Sequence, residues 1–203
     1  MEVKPFSDEL EQWLKKNSHK TVGDLADFFG DKSFAILFLI FMFLPALPVP
    51  TGGVTHFALL PVVMVVALEM LAGFKTVWLP KKARRIKIGS GFLHKALPFM
   101  LKHIRKLERV SRKRGVALFH STIFKRVTGL IILILALSAF IAPPFSGLDT
   151  VPSMGAVIIA LAFIIEDIYL YMVGVLLGVV GIGILSATAT AITALLKYVV
   201  NIF

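Results

Sequence analysis

The chain predicts an all-α integral membrane protein, built from two structural repeats with Pro/Gly-broken or re-entrant helices that are joined by a basic amphipathic cytoplasmic segment. Three observations lead there. Of the 203 residues, 57% are hydrophobic and the mean hydropathy is +0.86, whereas soluble domains are about 45–50% apolar. Two apolar stretches are each interrupted by prolines and glycines, at residues 44–53 and 143–149. Between them, residues 75–126 hold sixteen of the twenty-two Lys and Arg and a single acid, Glu108. Such an excess of cations marks a segment kept on the cytoplasmic side. Residues 1–203 are therefore read as a single membrane domain: amphipathic interfacial helices over 1–32, a first apolar repeat over 33–74, the basic cytoplasmic segment over 75–126, and a second apolar repeat with a C-terminal helix over 127–203.

In the first segment Phe6, Leu10, Trp13 and Leu14 recur at helical spacing, with Ser7 as the expected cap and Asp8 and Glu9 in the first turn. Thr21-Val22-Gly23-Asp24 has the form of a capping box, and Leu25, Phe28 and Phe29 give the second helix an apolar face that Gly30 closes. Both helices are expected in the membrane interface or on the domain itself. The acids Glu2, Asp8, Glu9 and Glu11 stand where a signal peptide carries cations, so insertion is expected to rest on the internal spans.

The first apolar repeat opens with Ser33–Leu47, 15 residues or about 22 Å of helix, short of the roughly 30 Å hydrocarbon core. Pro45, Pro48, Pro50, Gly52 and Gly53 then exclude a continuous helix. Val54–Phe74 is long enough to cross. This pattern fits either a two-span hairpin or a half-helix, a re-entrant turn and one span. In the basic segment, Leu93, Leu97, Met100, Leu101, Ile104 and Leu107 keep helical spacing while cations take the other faces, and Pro98 suits a first helical turn. The expected contacts are anionic head groups, met by Lys81, Lys82, Arg84, Arg85, Arg105, Arg109 and Arg112. No nucleic-acid-binding module accompanies the charge.

Val127–Ala142 counts only 16 residues before the break at Pro143-Pro144, and a second apolar run opens at Val151-Pro152 as the first does at Pro61. That echo suggests two repeats, and paired interrupted segments point to a transporter-like site at their interface. The final run carries Gly174 and Gly178, then Gly183, Ala187 and Ala191, rows of small residues that let helices approach closely. A homo-oligomer, most simply a dimer, is expected through those faces.

Glu69, Glu166 and Asp167 are the carboxylates of the apolar runs. An ionisable group at mid-bilayer costs roughly 2.5–3.5 kcal/mol, so each is a candidate functional group. Glu69 either carries a proton or cation, or hydrogen-bonds broken backbone or a partner subunit. Together with His56, Thr51, Gly52, Gly53 and Asp167 it makes up the candidate substrate or ion site. As neighbours on a helix, Glu166 and Asp167 would lie about 100° apart and could not face one site together. Too few oxygens accompany them for a hard-metal site, and the chain has no cysteine. No metal or cofactor is expected. No catalytic motif is present, so an enzyme has no positive argument.

Several of these features together are similar to the ExoD family of bacterial membrane proteins, named for exopolysaccharide synthesis. They are Thr21-Val22-Gly23-Asp24-Leu25 with Gly30, Pro48-Val49-Pro50-Thr51-Gly52-Gly53, Leu60-Pro61, Gly73 with Trp78-Leu79-Pro80, Arg112-Lys113-Arg114 and the second break before Val151-Pro152. Three positions depart from that pattern: Glu69 stands where a glutamine is usual, and in Glu166-Asp167-Ile168 the first and last residues depart from the usual Arg-Asp-Gly. The resemblance implies a multi-pass protein of the bacterial inner membrane that supports exopolysaccharide production. Together with the breaks it suggests a transporter- or carrier-like role with a central site and a lipid-linked or phosphate-bearing ligand. The alternative is a non-transporting scaffold or regulator of a synthesis complex.

Overall fold

The computed structural model describes residues 5–16, 21–48, 53, 55–85, 87, 97–144 and 146–202, and its regular structure is helical. The first helix, α1 (Phe6–Lys16), turns Phe6, Leu10 and Trp13 into the core. Ser7 does not cap it. It lies inside the first turn and gives both its N–H (3.1 Å) and its Oγ (2.5 Å) to Glu108, because a carboxylate from a distant segment competes for those donors. The second, α2 (Val22–Phe29), opens with the expected reciprocal box: Asp24 N–H donates to Thr21 Oγ1 at 3.1 Å, and Thr21 N–H to Asp24 Oδ2 at 3.2 Å. Such caps contribute about 1 kcal/mol. Both helices bury apolar residues in the hydrophobic core, Leu25 and Phe29 from the second, whereas Phe28 of the expected face stays exposed.

A short 3-10 turn, Gly30–Lys32, leads into α3 (Ser33–Phe43). Its sequence is apolar on every face, and a helix of that kind must be enclosed. Every one of its residues except Phe41 is buried. At 11 residues it is about 16 Å long, roughly half a hydrocarbon core. Beyond the first break, a π-helical turn over Thr55–Leu59 merges into α4 (Leu60–Ala72), and the two together make an 18-residue rod. Pro61 sits in the first turn of α4, where its missing N–H costs nothing. Gly73 ends the helix at φ +93°, and a Cβ there would lie 2.7 Å from the Arg126 guanidinium. Conformation and space both demand glycine at that turn.

The basic segment forms α5 (Lys81–Arg84), α6 (Leu97–Val110) and α7 (Val116–His120). The apolar stripe of α6, Leu97, Met100, Leu101 and Ile104, faces the protein core and not lipid, with Pro98 in the first turn. Next comes α8 (Thr122–Ile141), 20 residues and about 30 Å long. The expected short span from Val127 is thus corrected: Thr122–Arg126 continue the helix at its start, since Lys125 and Arg126 can extend their stems to a polar boundary. Finally α9 (Thr150–Ile165) and α10 (Ile168–Ile202) are separated by a break at Glu166-Asp167.

The chain folds as two antiparallel hairpins, α3–α4 and α8–α9, with α10 laid against α9. Glycines set the seams. A Cβ on Gly129 would stand 2.7 Å from Leu71 N, and one on Gly155 2.7 Å from Gly178 Cα, so α4 meets α8 and α9 meets α10 nearly backbone to backbone. Both breaks lie at one end, here the proline end, where His56 Nε2 is 3.0 Å from Ala142 O. At the opposite, basal end lie Lys32, Gly73 and Glu166. Across the two hairpins, α4 pairs with α8 and α3 with α9. Each half thus contributes one antiparallel helix hairpin with its break at the proline end.

Three helices are long and apolar enough to cross a membrane, over Thr55–Ala72, Thr122–Ile141 and Ile168–Val199. Their outward faces are apolar at helical spacing: Val62, Val65 and Leu68, then Ile123, Val127, Leu130, Ile134, Leu137 and Ile141. Gly181 packs on Pro152 at the start of α9, and nothing stands within 4 Å of Gly183's Cβ position. The remainder of α10 extends past the proline end.

Candidate functional site

The polar groups collect at the two ends of the bundle. At the proline end His56 is buried, its Nε2 facing Ala142 O at 3.0 Å and its Nδ1 facing Thr55 Oγ1 at 3.4 Å. It thereby ties the first broken segment to the second. Gly53 turns the chain at φ +82° against the Phe57 ring. Pro45 is buried, whereas Pro48, Pro143 and Pro144 are exposed. Pro50, Thr51 and Gly52 lie outside the described residues.

Glu69 sits thirteen residues beyond His56 on the same rod, about 20 Å away along the axis. The structure does not bring the two together. The Glu69 carboxylate accepts the Trp78 N–H at 2.9 Å, which fastens the chain leaving Gly73 back onto α4.

The richest cluster is basal. Glu166 adopts a left-handed conformation, φ +64°, at the tight turn that folds α10 back antiparallel on α9. Glu166 and Asp167 are thereby released from helical geometry, so the 100° separation does not apply and both reach the same basic segment. Glu166 pairs with Lys113 at 3.3 Å and faces His120 at 3.4 Å. Its carbonyl accepts Arg114 N–H at 2.9 Å, and Ile168 N–H returns to Arg114 O at 3.2 Å. Asp167 Oδ2 accepts Ser111 Oγ at 2.5 Å and Arg112 N–H at 3.0 Å, while Oδ1 accepts Tyr169 N–H at 3.0 Å. Burial pushes the Asp167 carboxyl up, but the Ser111, Arg112, Tyr169 and Leu170 donors outweigh it and hold the group below the usual aspartate value. Lys32 Nζ donates to Ile164 O at 3.1 Å, capping a C-terminal carbonyl of α9.

Two clefts share Lys32. One, of about 340 Å³, lies between α2, α7 and the end of α9, with Asp31, His120, Lys125 and Glu166 on its walls. The other, about 240 Å³, is walled by Glu9, Glu108, Ser111 and Lys113. A third, about 460 Å³, lies between Thr21 and the Lys81, Arg84 and Arg85 side chains. Arg84 is ion-paired with Asp27, and Arg105 with Glu11; Lys81, Arg85, Arg109 and Arg112 are exposed, and Lys82 lies in α5. Among the described residues no three His, Asp or Glu side chains are grouped to hold a metal ion. The sequence reading missed Lys32, Ser111, Lys113, His120 and Lys125 as partners of the Glu166-Asp167 break. The one signal was complementarity between an acidic pair in an apolar run and Arg112-Lys113-Arg114.

An all-helical chain with three helices long and apolar enough to cross a membrane has the build of a membrane protein. Residues 6–187 match the family described as "Exopolysaccharide synthesis, ExoD", and the chain belongs to that family. It is also similar to the "Uncharacterized protein slr1875" of Synechocystis sp., with 27% identity over 157 residues, covering 73% of this chain and 70% of that protein. No solved structure matches.

Proposed function

We propose that this ExoD-family chain supports exopolysaccharide production in the bacterial inner membrane as a carrier-like protein, and that its ligand is phosphate-bearing or lipid-linked. The reading rests on one observation: cations from three separate segments, Lys32, Lys113 and Lys125, converge with His120 on the broken α9–α10 connection around two clefts that share Lys32. Charged side chains held at the turn of a helical hairpin offer a phosphate the charge-assisted hydrogen bonds it takes best. The site is basal, and Glu69 and His56 are not part of it. The bonds that Glu69 makes to Trp78 and His56 to Ala142 favour the second reading, a scaffold or regulator of a synthesis complex, since both groups are satisfied within the chain.

The test is thermal unfolding of the detergent-purified protein with farnesyl phosphate, phosphatidic acid or inorganic phosphate. A ligand bound by the folded state alone raises stability by mass action, about 2.7 kcal/mol at a hundred times its Kd. The carrier reading expects a lipid phosphate to raise the midpoint in wild type and Glu69→Gln alike, with the response lost in Lys125→Gln. No response in wild type supports the scaffold.

A further inference from the structure

The basic segment does not lie wholly beyond the basal end. Phe99, near the start of α6, meets Phe43 at the proline end of α3, their rings 6.1 Å apart. Glu108 and Ser111, at and just past the other end of α6, share a cleft with Lys32, which immediately precedes α3. So the two ends of α6 lie level with the two ends of α3, in the opposite order. In turn α3 is level with α4, because Ser33 Oγ accepts Val77 N–H just past the end of α4. A helix carrying Lys102, His103, Arg105, Lys106 and Arg109 on its exposed side thus stands at the same depth as the apolar faces of α4 and α8.

Arg105 is neutralised by Glu11 and Asp8 of α1. Lys102, Lys106 and Arg109 enter no ion pair among the described residues, and the one acid of α6, Glu108, is held by Ser7. Spaced at i, i+4 and i+7, these three cations form a ladder about 10 Å tall on one face. Against lipid tails each would cost several kcal/mol; local thinning of the bilayer, water and anionic groups relieve that cost. A two-fold contact centred on the ladder would set like charges opposite each other.

We propose that the α6 flank is a wet furrow in the bilayer, occupied by water and by the head groups of anionic lipids drawn in along Lys102, Lys106 and Arg109. Carrier and scaffold readings both accommodate it, so it stands independently of the basal site.

The chain has no cysteine, which permits single-cysteine labelling of the full chain in nanodiscs with a membrane-impermeant maleimide. Lys102→Cys and Lys106→Cys are expected to react at least tenfold faster than Val65→Cys and Leu130→Cys on the lipid faces of α4 and α8. Equal, slow rates at all four would overturn the furrow. For the occupant, short-chain phosphatidylglycerol is titrated into the solubilised protein and followed by thermal unfolding. At about 1 kcal/mol per cation near a membrane surface, a fivefold factor each, the triple variant Lys102→Gln/Lys106→Gln/Arg109→Gln should bind it about a hundredfold more weakly. Unchanged affinity, an equal response to phosphatidylcholine, or a response reproduced by inorganic phosphate would each overturn the lipid assignment.

Discussion

Asp167 holds three stretches of chain with one carboxylate: the end of α6 through Ser111 and Arg112, the break after α9, and the first turn of α10 through Tyr169. Asp167→Asn puts an amide N–H₂ where a donor already points, and a buried unsatisfied polar group costs roughly 1–3 kcal/mol. Denaturation of the purified variant should show a loss of that size. The pH dependence has a definite sign. Because the folded-state value lies below the usual 3.8, the stabilisation is complete above the unfolded-state value and is lost as pH falls through the folded one. The gap between wild type and variant should therefore stay flat from pH 8 to 5 and close below about pH 4. At this scale the sequence showed which carboxylates matter but not their partners. Neither glycine nor proline announces the break at Glu166, whose left-handed backbone is held by tertiary bonds to Arg114, and Glu69 gives no hint that it bonds to Trp78 nine residues ahead.

Between elements, the glycines of the α9–α10 pair have opposite sensitivities, one at a close seam and one in open space. Gly155→Ala would push a methyl into the backbone of α10 and should destabilise the fold by about 1–3 kcal/mol. Gly183→Ala meets nothing within 4 Å and improves helix propensity, so it should be neutral or stabilising by up to about 1 kcal/mol. Unfolding of both variants in the same detergent compares the two directly. The Gly174–Gly178 pair was legible as a packing face, but its partner is α9 of the same chain, and whether a row of small residues closes within or between chains depends on topology that spacing does not carry. Helix periods and the capping box were readable because their causes are local. The start of α8 was misjudged by five residues, since a hydropathy reading counts Lys125 and Arg126 as loop when their long stems let the helix run on.

For the whole molecule, the apolar content and the enclosure of α3 follow from composition, while the placement of α6 beside α3 does not, because an amphipathic pattern fits a lipid surface and a protein flank equally well. The distal part of α10 tests how the fold is partitioned. From Gly183 onward every described side chain is at least partly exposed, and a chain ending at Ser186 should unfold within about 0.5 kcal/mol of the full one, as substitutions away from packed features do. Thermal unfolding of the two side by side checks it; a larger loss would show that the distal helix packs against the bundle or against a second copy.

The enclosure of α3 also has a meaning in time. Lys32, at its threshold, caps a carbonyl 132 residues later in the chain, and α9 forms one wall around it. At about 5–20 residues per second during synthesis, the most apolar helix of the protein waits roughly 7 to 26 seconds for its neighbour. Until α9 arrives, whatever accompanies the nascent chain must shelter a helix too short to span the bilayer and too apolar to stay in water.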